Sequence, residues 1–189
     1  MTSCNSVATP ADTSTTLKTS INEDPRNVLY RQLVGSLMYL AVVTRPDLAY
    51  TVATLSKFLD SPTDEHWNAG KRVLRYLAGT TDIGIMYGRD RSTKLVAYSD
   101  ADWANCVNTR RSTSGVVLLN GGPVTWFSRK QGVVATSTTD AEYVAAHDAG
   151  KEIVWARRLL KKIGSQIAPY VLWTSVLCPF YYHTSMDII

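Results

Sequence analysis

Near residue 80 the apolar residues change from a helical period to an extended one, so the chain divides into a helical part followed by a mixed part. Before that point Leu29, Leu33, Leu37 and Leu40 recur at steps of four, four and three, which predicts a first helix from Asn27 with those leucines on one face. Thr44-Arg45-Pro46-Asp47 reads as a restart. Thr44 can cap it, Asp47 suits the positive end of the dipole, and Leu48, Val52, Leu55 and Leu59 make a second stripe. Ser61-Pro62-Thr63-Asp64 starts a third helix, with Ser61 as cap and Pro62 at the first helical position. Trp67, Gly70, Leu74 and Leu77 line its face before Gly79 stops it.

Beyond residue 80, Lys94 to Asp100 is a mostly apolar run that ends on a carboxylate, the pattern of a strand buried on both faces. Thr113 to Leu119 and Pro123 to Phe127 flank Asn120-Gly121-Gly122, a turn that tolerates positive φ, and should form a hairpin. Ser137-Thr138-Thr139-Asp140 opens a helix-prone run to Ile163, ended by Gly164, with Arg157, Arg158, Lys161 and Lys162 toward its negative end. Either one long helix or two joined near Gly150 would satisfy it. Tyr170 to Thr174 is a last strand candidate. The fold class is therefore α/β.

A chain of 189 residues with 45% hydrophobic content can bury a real core, which excludes disorder for the whole. Residues 1 to 26 are rich in Ser, Thr, Asn and Asp and read as a flexible segment. The longest apolar stretch, Leu33 to Val43, is far short of the ~20 residues a bilayer span needs, so no membrane association is expected. Cys4, Cys106 and Cys178 form no C-x-x-C pair, which argues against a zinc site or disulfide framework and for a reducing intracellular compartment, cytoplasmic or nuclear. A net charge of +4 is compatible with a polyanionic partner without requiring one. No nucleophile triad, glycine-rich phosphate loop or paired-histidine motif is visible. His66, His147 and His183 are isolated and read as surface or core, and Trp103, Trp126 and Trp155 as packing residues.

The informative chemistry is acidic. Asp100 closes the first strand with Asp102 beside it, and Glu142 lies in the early turns of the later helix. Carboxylates on a strand end and a packed helix can converge on magnesium, which prefers oxygen ligands. They can equally be solvated turn and cap residues, and spacing alone leaves both readings open.

The segments YRQLVGSLMYL, TRPDLAYTVATLSKF, EHWNAGKRVLRYLAGT, YSDADWA, RRSTSG and STTDAEYVA, in this order, resemble the copia-type retrotransposon polyprotein over roughly residues 1 to 173. The resemblance implies that 27–80 is the helical connection region of a reverse transcriptase and 81–175 a ribonuclease H-like domain. It implies hydrolysis of RNA in RNA-DNA hybrids by two magnesium ions, one activating water and one stabilising the departing oxygen. Asp100 and Glu142 match the family's metal-binding catalytic carboxylates. Arg110 and Arg111, and Lys71, Arg72 and Arg75 on the third helix, become candidates for phosphate contacts along the hybrid. No YxDD-like segment is present, so polymerase chemistry is not expected, and the rest of the polyprotein is an expected partner.

One departure from the family stands out. A strand ending in an aspartate-asparagine pair is expected near residue 175, yet Ser175 stands there, or Thr174 with a shift of one, and 176–189 does not resemble the family. A frame disruption near residue 170 would account for both, and the domain is expected to be truncated, with the later strands and last acidic residue absent. Asp148 and Asp187 do not match that position. The same features suit an alternative, a catalytically dead remnant that acts at most as a nucleic-acid-binding or interaction module.

Overall fold

The computed structural model describes residues 4–12, 17–18, 27–87, 95–106, 109–164 and 170–174. The chain divides into two compact units, Met1–Ile85 and Met86–Ile189. Its described part is a mixed α/β protein with four α-helices and a mixed sheet of four strands. Among the described residues, no helix is long and apolar enough to cross a membrane.

The first unit contains α1 (Asn27–Val43), α2 (Ala49–Leu55) and α3 (Asp64–Ala78), with 3₁₀ turns at Pro46–Leu48 and Ser56–Phe58. In the second stripe Leu48, Val52 and Leu55 are buried as expected, while Leu59 is only partly covered and Phe58 is the buried residue there. In α1 the stripe is rotated by one residue. Tyr30, Val34, Leu37 and Ala41 face the core, while Leu29 is 54% exposed. Tyr30 wins that place because its ring carries more apolar surface than a leucine and its hydroxyl finds an acceptor, the Leu55 carbonyl, at 2.9 Å. In α3 the fully packed face is likewise His66, Gly70, Val73 and Tyr76, with Trp67, Leu74 and Leu77 partly covered. A Cβ on Gly70 would come within 2.7 Å of a Leu33 methyl, so glycine lets α1 and α3 approach.

The expected caps differ from those observed. Neither Thr44 nor Ser61 serves: Arg45 precedes the first 3₁₀ turn, and Thr63 caps α3. The Thr63 N–H donates to Nδ1 of His66 at 2.8 Å, so the imidazole does what Glu does in a capping box. The ring is completely buried and stacks on Phe58 at 4.0 Å between centroids. Gly79 ends α3 with φ −91°, without the left-handed turn. Residues of the polar N-terminal segment lie on this unit: Val7 and Leu17 pack against its core, and Asn5 and Thr9 bond to α3.

The second unit contains β1 (Leu95–Asp102), β2 (Thr113–Leu119), β3 (Pro123–Lys130), α4 (Thr138–Lys162) and β4 (Tyr170–Thr174). The sheet order is β3-β2-β1-β4, with β4 parallel to β1 and the other pairs antiparallel. The β2–β3 turn uses Gly121 at φ 70°, as the Asn-Gly-Gly sequence requires. One uninterrupted helix of 25 residues covers one face of the sheet. Ala141, Ala145, Ala149, Ile153 and Ala156 lie along its buried side, and the small side chains let it sit close to the strands. Ser137 caps it by accepting the Asp140 N–H at 3.0 Å, and Gly164 at φ 76° follows its end.

Contrary to the sequence expectation, β1 is buried on one face only. Leu95, Ala97 and Ser99 face α4, while Tyr98 is 48% exposed on the other side. The register aligns Trp173, Tyr98, Val117 and Trp126 in one row across that open face. A run that is apolar on both sides supports burial of both only where the chain supplies a second layer.

Candidate metal site

Asp100 and Glu142 come from β1 and α4, which pack against each other in the second unit. Asp100 lies near the end of β1, exposed, opposite Gly115 of β2. Glu142, in the second turn of α4, is 7% exposed. Its Oε1 accepts the N–H of Ala101 at 3.3 Å, which ties the helix to the residue after Asp100. Its Oε2 is buried and has no hydrogen-bond partner among the described residues, and Ser99 Oγ is in the same condition. An unpaired carboxylate oxygen in a protein interior is costly, and an ordered water or a cation would satisfy it.

Asp102 is engaged elsewhere. Asn105 Nδ2 donates to its Oδ2 at 2.7 Å, and Asn105 Oδ1 accepts from Thr113 Oγ1 at 2.9 Å, so Asp102 organises the turn after β1. In that turn Ala104 takes φ 51° and donates its N–H to the buried Ser112 Oγ at 3.0 Å. Arg110 and Arg111 close the same turn. Arg110, exposed and also at φ 51°, donates its N–H to Cys106 O at 2.7 Å, and Arg111 O accepts from Cys106 N at 3.2 Å.

Ser99 pairs with Thr174, so a neutral hydroxyl ends the described part of β4 one step before the level of Asp100. Ser175, Cys178, His183, Asp187 and the 176–189 segment lie outside the described residues. Asp148 forms an ion pair with Lys151 at 2.6 Å. Among the described residues no group of three or more His, Cys, Asp or Glu could hold a metal ion.

The sequence reading overlooked the polar groups beneath this site. Gln131, Ser112 and Ser114 are almost fully buried, and Gln131 bonds to both Ser114 and the start of α4. The signal was present in RRSTSG: Ser112 and Ser114 alternate, hence share one face of a strand entering a core. Trp103 and Trp155, read as packing residues, are 44% and 52% exposed.

Comparison with known proteins decides the family. The chain is 48% identical over 164 residues, 86% of its length, to the Retrovirus-related Pol polyprotein from transposon RE2 of Arabidopsis thaliana. It is 44% identical over 147 residues, 77% of its length, to the corresponding polyprotein from transposon TNT 1-94 of Nicotiana tabacum. The chain belongs to the copia-type retrotransposon Pol family. As a Pol fragment it spans 11% of each of those two relatives. It is also 54% identical over 131 residues to the Secreted RxLR effector protein 161 of Plasmopara viticola, covering 92% of that protein. No family model and no solved structure matches it.

Within this Pol fragment, Lys71, Arg72 and Arg75 sit on α3 of the first unit. Two of the three are held by the N-terminal segment. Arg75 Nε donates to Asn5 O at 2.7 Å, and Arg72 donates to Thr9 Oγ1 at 3.0 Å and lies 3.9 Å from Asp12.

Proposed function

We propose that the second unit is a ribonuclease H-like domain of the retrotransposon polyprotein, directed at the RNA strand of RNA-DNA hybrids during reverse transcription, and that the first unit is the connection region of the reverse transcriptase. One observation carries this reading: Glu142 is hydrogen-bonded to the strand end that presents Asp100, while its second oxygen is buried and unpartnered. That arrangement suits an oxygen-seeking cation such as magnesium. Arg110, exposed on the turn that follows β1, would meet the phosphates of the hybrid.

The described donors do not amount to a complete two-ion centre. Two carboxylates are supplied, and Thr174 or Ser175 offers a neutral hydroxyl where the family has a third. Charge neutralisation holds these ions, so magnesium binding and hydrolysis by this chain are expected to be weak.

The name of the Plasmopara relative raises another reading, since Arg72-Val73-Leu74-Arg75 fits the pattern RxLR. Here Val73 is completely buried, and both arginines hold the N-terminal segment. The four residues serve the packing of α3 and present no accessible recognition strand.

The test is cleavage of a labelled RNA-DNA hybrid with magnesium, beside Asp100→Asn. Cleavage lost in the variant supports the hydrolase. No cleavage by a folded wild-type chain overturns it and leaves a remnant whose hybrid binding can be measured directly.

A further inference from the structure

Gln131 lies between β3 and α4, is 3% exposed, and bonds to two backbone carbonyls and one side-chain hydroxyl. Its N–H donates to Ser112 O at 2.8 Å. Its Nε2 donates to Ser114 Oγ at 3.0 Å and to Ala141 O at 2.8 Å. A carbonyl only accepts, so the amide nitrogen and not the oxygen must face Ala141; this fixes the orientation of the group and leaves Oε1 buried without a partner among the described residues.

The contacts form a closed circuit. Ser114 is paired with Ala101 across the β1–β2 ladder, Ala101 donates to Glu142, and Glu142 follows Ala141, which accepts from Gln131. The circuit passes through Ala101, next to Asp100, and Ala141, next to Glu142. We propose that Gln131 is a positioning residue that holds the start of α4 at the height where Glu142 meets the end of β1. Its catalytic meaning rests on the ribonuclease H reading; its structural effect does not.

The test uses the full chain without metal or substrate. In Gln131→Met, which keeps the length and removes both side-chain bonds, the Ala101 amide should exchange with solvent about tenfold faster, as in Glu142→Ala, while Val116 and Leu118 stay within about twofold. An unchanged Ala101 amide in Gln131→Met overturns the proposal. If all amides loosen alike in Gln131→Met, Ser114→Ala decides: a selective rise at Ala101 supports the role and any other result rejects it. Because this readout needs no cleavage, a failure of the hydrolase reading would appear separately, as an inactive wild type. Where the wild type does cleave, kcat should fall in Gln131→Met with KM unchanged, and a change confined to KM counts against positioning.

Discussion

Arg45 in the first unit and Glu142 in the second are buried to nearly the same degree, 6% and 7% exposed, yet their surroundings differ in kind. The Arg45 guanidinium is fully engaged. It grips both oxygens of Asp47 at 2.8 to 3.3 Å and donates to Thr80 O and Oγ1 at 3.0 and 2.8 Å, while Tyr76 donates its hydroxyl to Asp47 at 2.8 Å. Glu142 has one hydrogen-bonded oxygen and one without a partner among the described residues. A closed network of this kind holds a fold together, whereas the second oxygen of Glu142 adds nothing to the bond that the first makes with β1. Family resemblance could flag both segments, TRPD and STTDAEYVA, but only the geometry separates their roles.

The largest effect expected from this contrast is in the first unit. Arg45→Met leaves Asp47 without its cation and Thr80 without two donors, and should cost about 3 kcal/mol. Hydrogen exchange of α1 and α3 peptides would register it, with β1 and β2 peptides unaffected. Wild-type-like protection of α1 and α3 would mean that the network is not what secures them.

Next in size is a gain in the second unit. Among the described residues the ladder reaches Ser99 opposite Thr174, and Ser175 is the next residue in sequence, where the family resemblance expects a carboxylate. Ser175→Asp should tighten magnesium binding about tenfold, or about 1.4 kcal/mol, and raise hybrid cleavage with it. Thr174→Asp covers the alternative register. No gain from either change would show that Asp100 and Glu142 do not form the core of a metal site.

Acid should loosen the first unit in two smaller steps. Burial holds the His66 imidazole below its ordinary 6.5. A depressed group contributes stability that is fully present above the unfolded value, so this share falls as pH drops from 6.5 through the folded value. Burial alone would push the Asp47 carboxyl up, but hydrogen bonds from Arg45 and Tyr76 outweigh it and leave the group below its ordinary 3.8. That contribution is complete above 3.8 and disappears as pH falls through the folded value. In urea unfolding against pH, His66→Gln should remove the upper step and Asp47→Asn the lower. A curve unchanged by either substitution would contradict these assignments.

Much of the architecture was legible in the sequence, for reasons particular to each element. Leu48, Val52 and Leu55 are the only large aliphatic residues between 48 and 55, so counting found their face; in α1, Tyr30 displaced the leucine stripe because a bonded hydroxyl made its burial affordable. The hairpin was readable from Asn120-Gly121-Gly122, and α4 from its cap and its closing glycine. The open face of β1 was not, since an apolar side chain looks the same whether or not a second layer covers it. Asp100 and Glu142 were found through resemblance, because a lone aspartate and a lone glutamate have no diagnostic spacing. Gln131 escaped notice: a glutamine between strand and helix reads as loop until its three partners are visible.

The smallest expected effect is the most diagnostic. Glu142→Gln keeps an oxygen for the Ala101 N–H and replaces the carboxylate by an amide, which costs less to bury. The new NH₂ inherits the place of Oε2, where the described atoms offer no acceptor, so the gain is partly cancelled. The two contributions should leave stability within about 0.5 kcal/mol of the wild type, while any magnesium-dependent cleavage falls at least about a hundredfold. If instead Glu142→Gln destabilised the second unit as Arg45→Met does the first, Glu142 would be a structural anchor like Arg45. The contrast between a closed network and an open site would then fail at the residue that defines it.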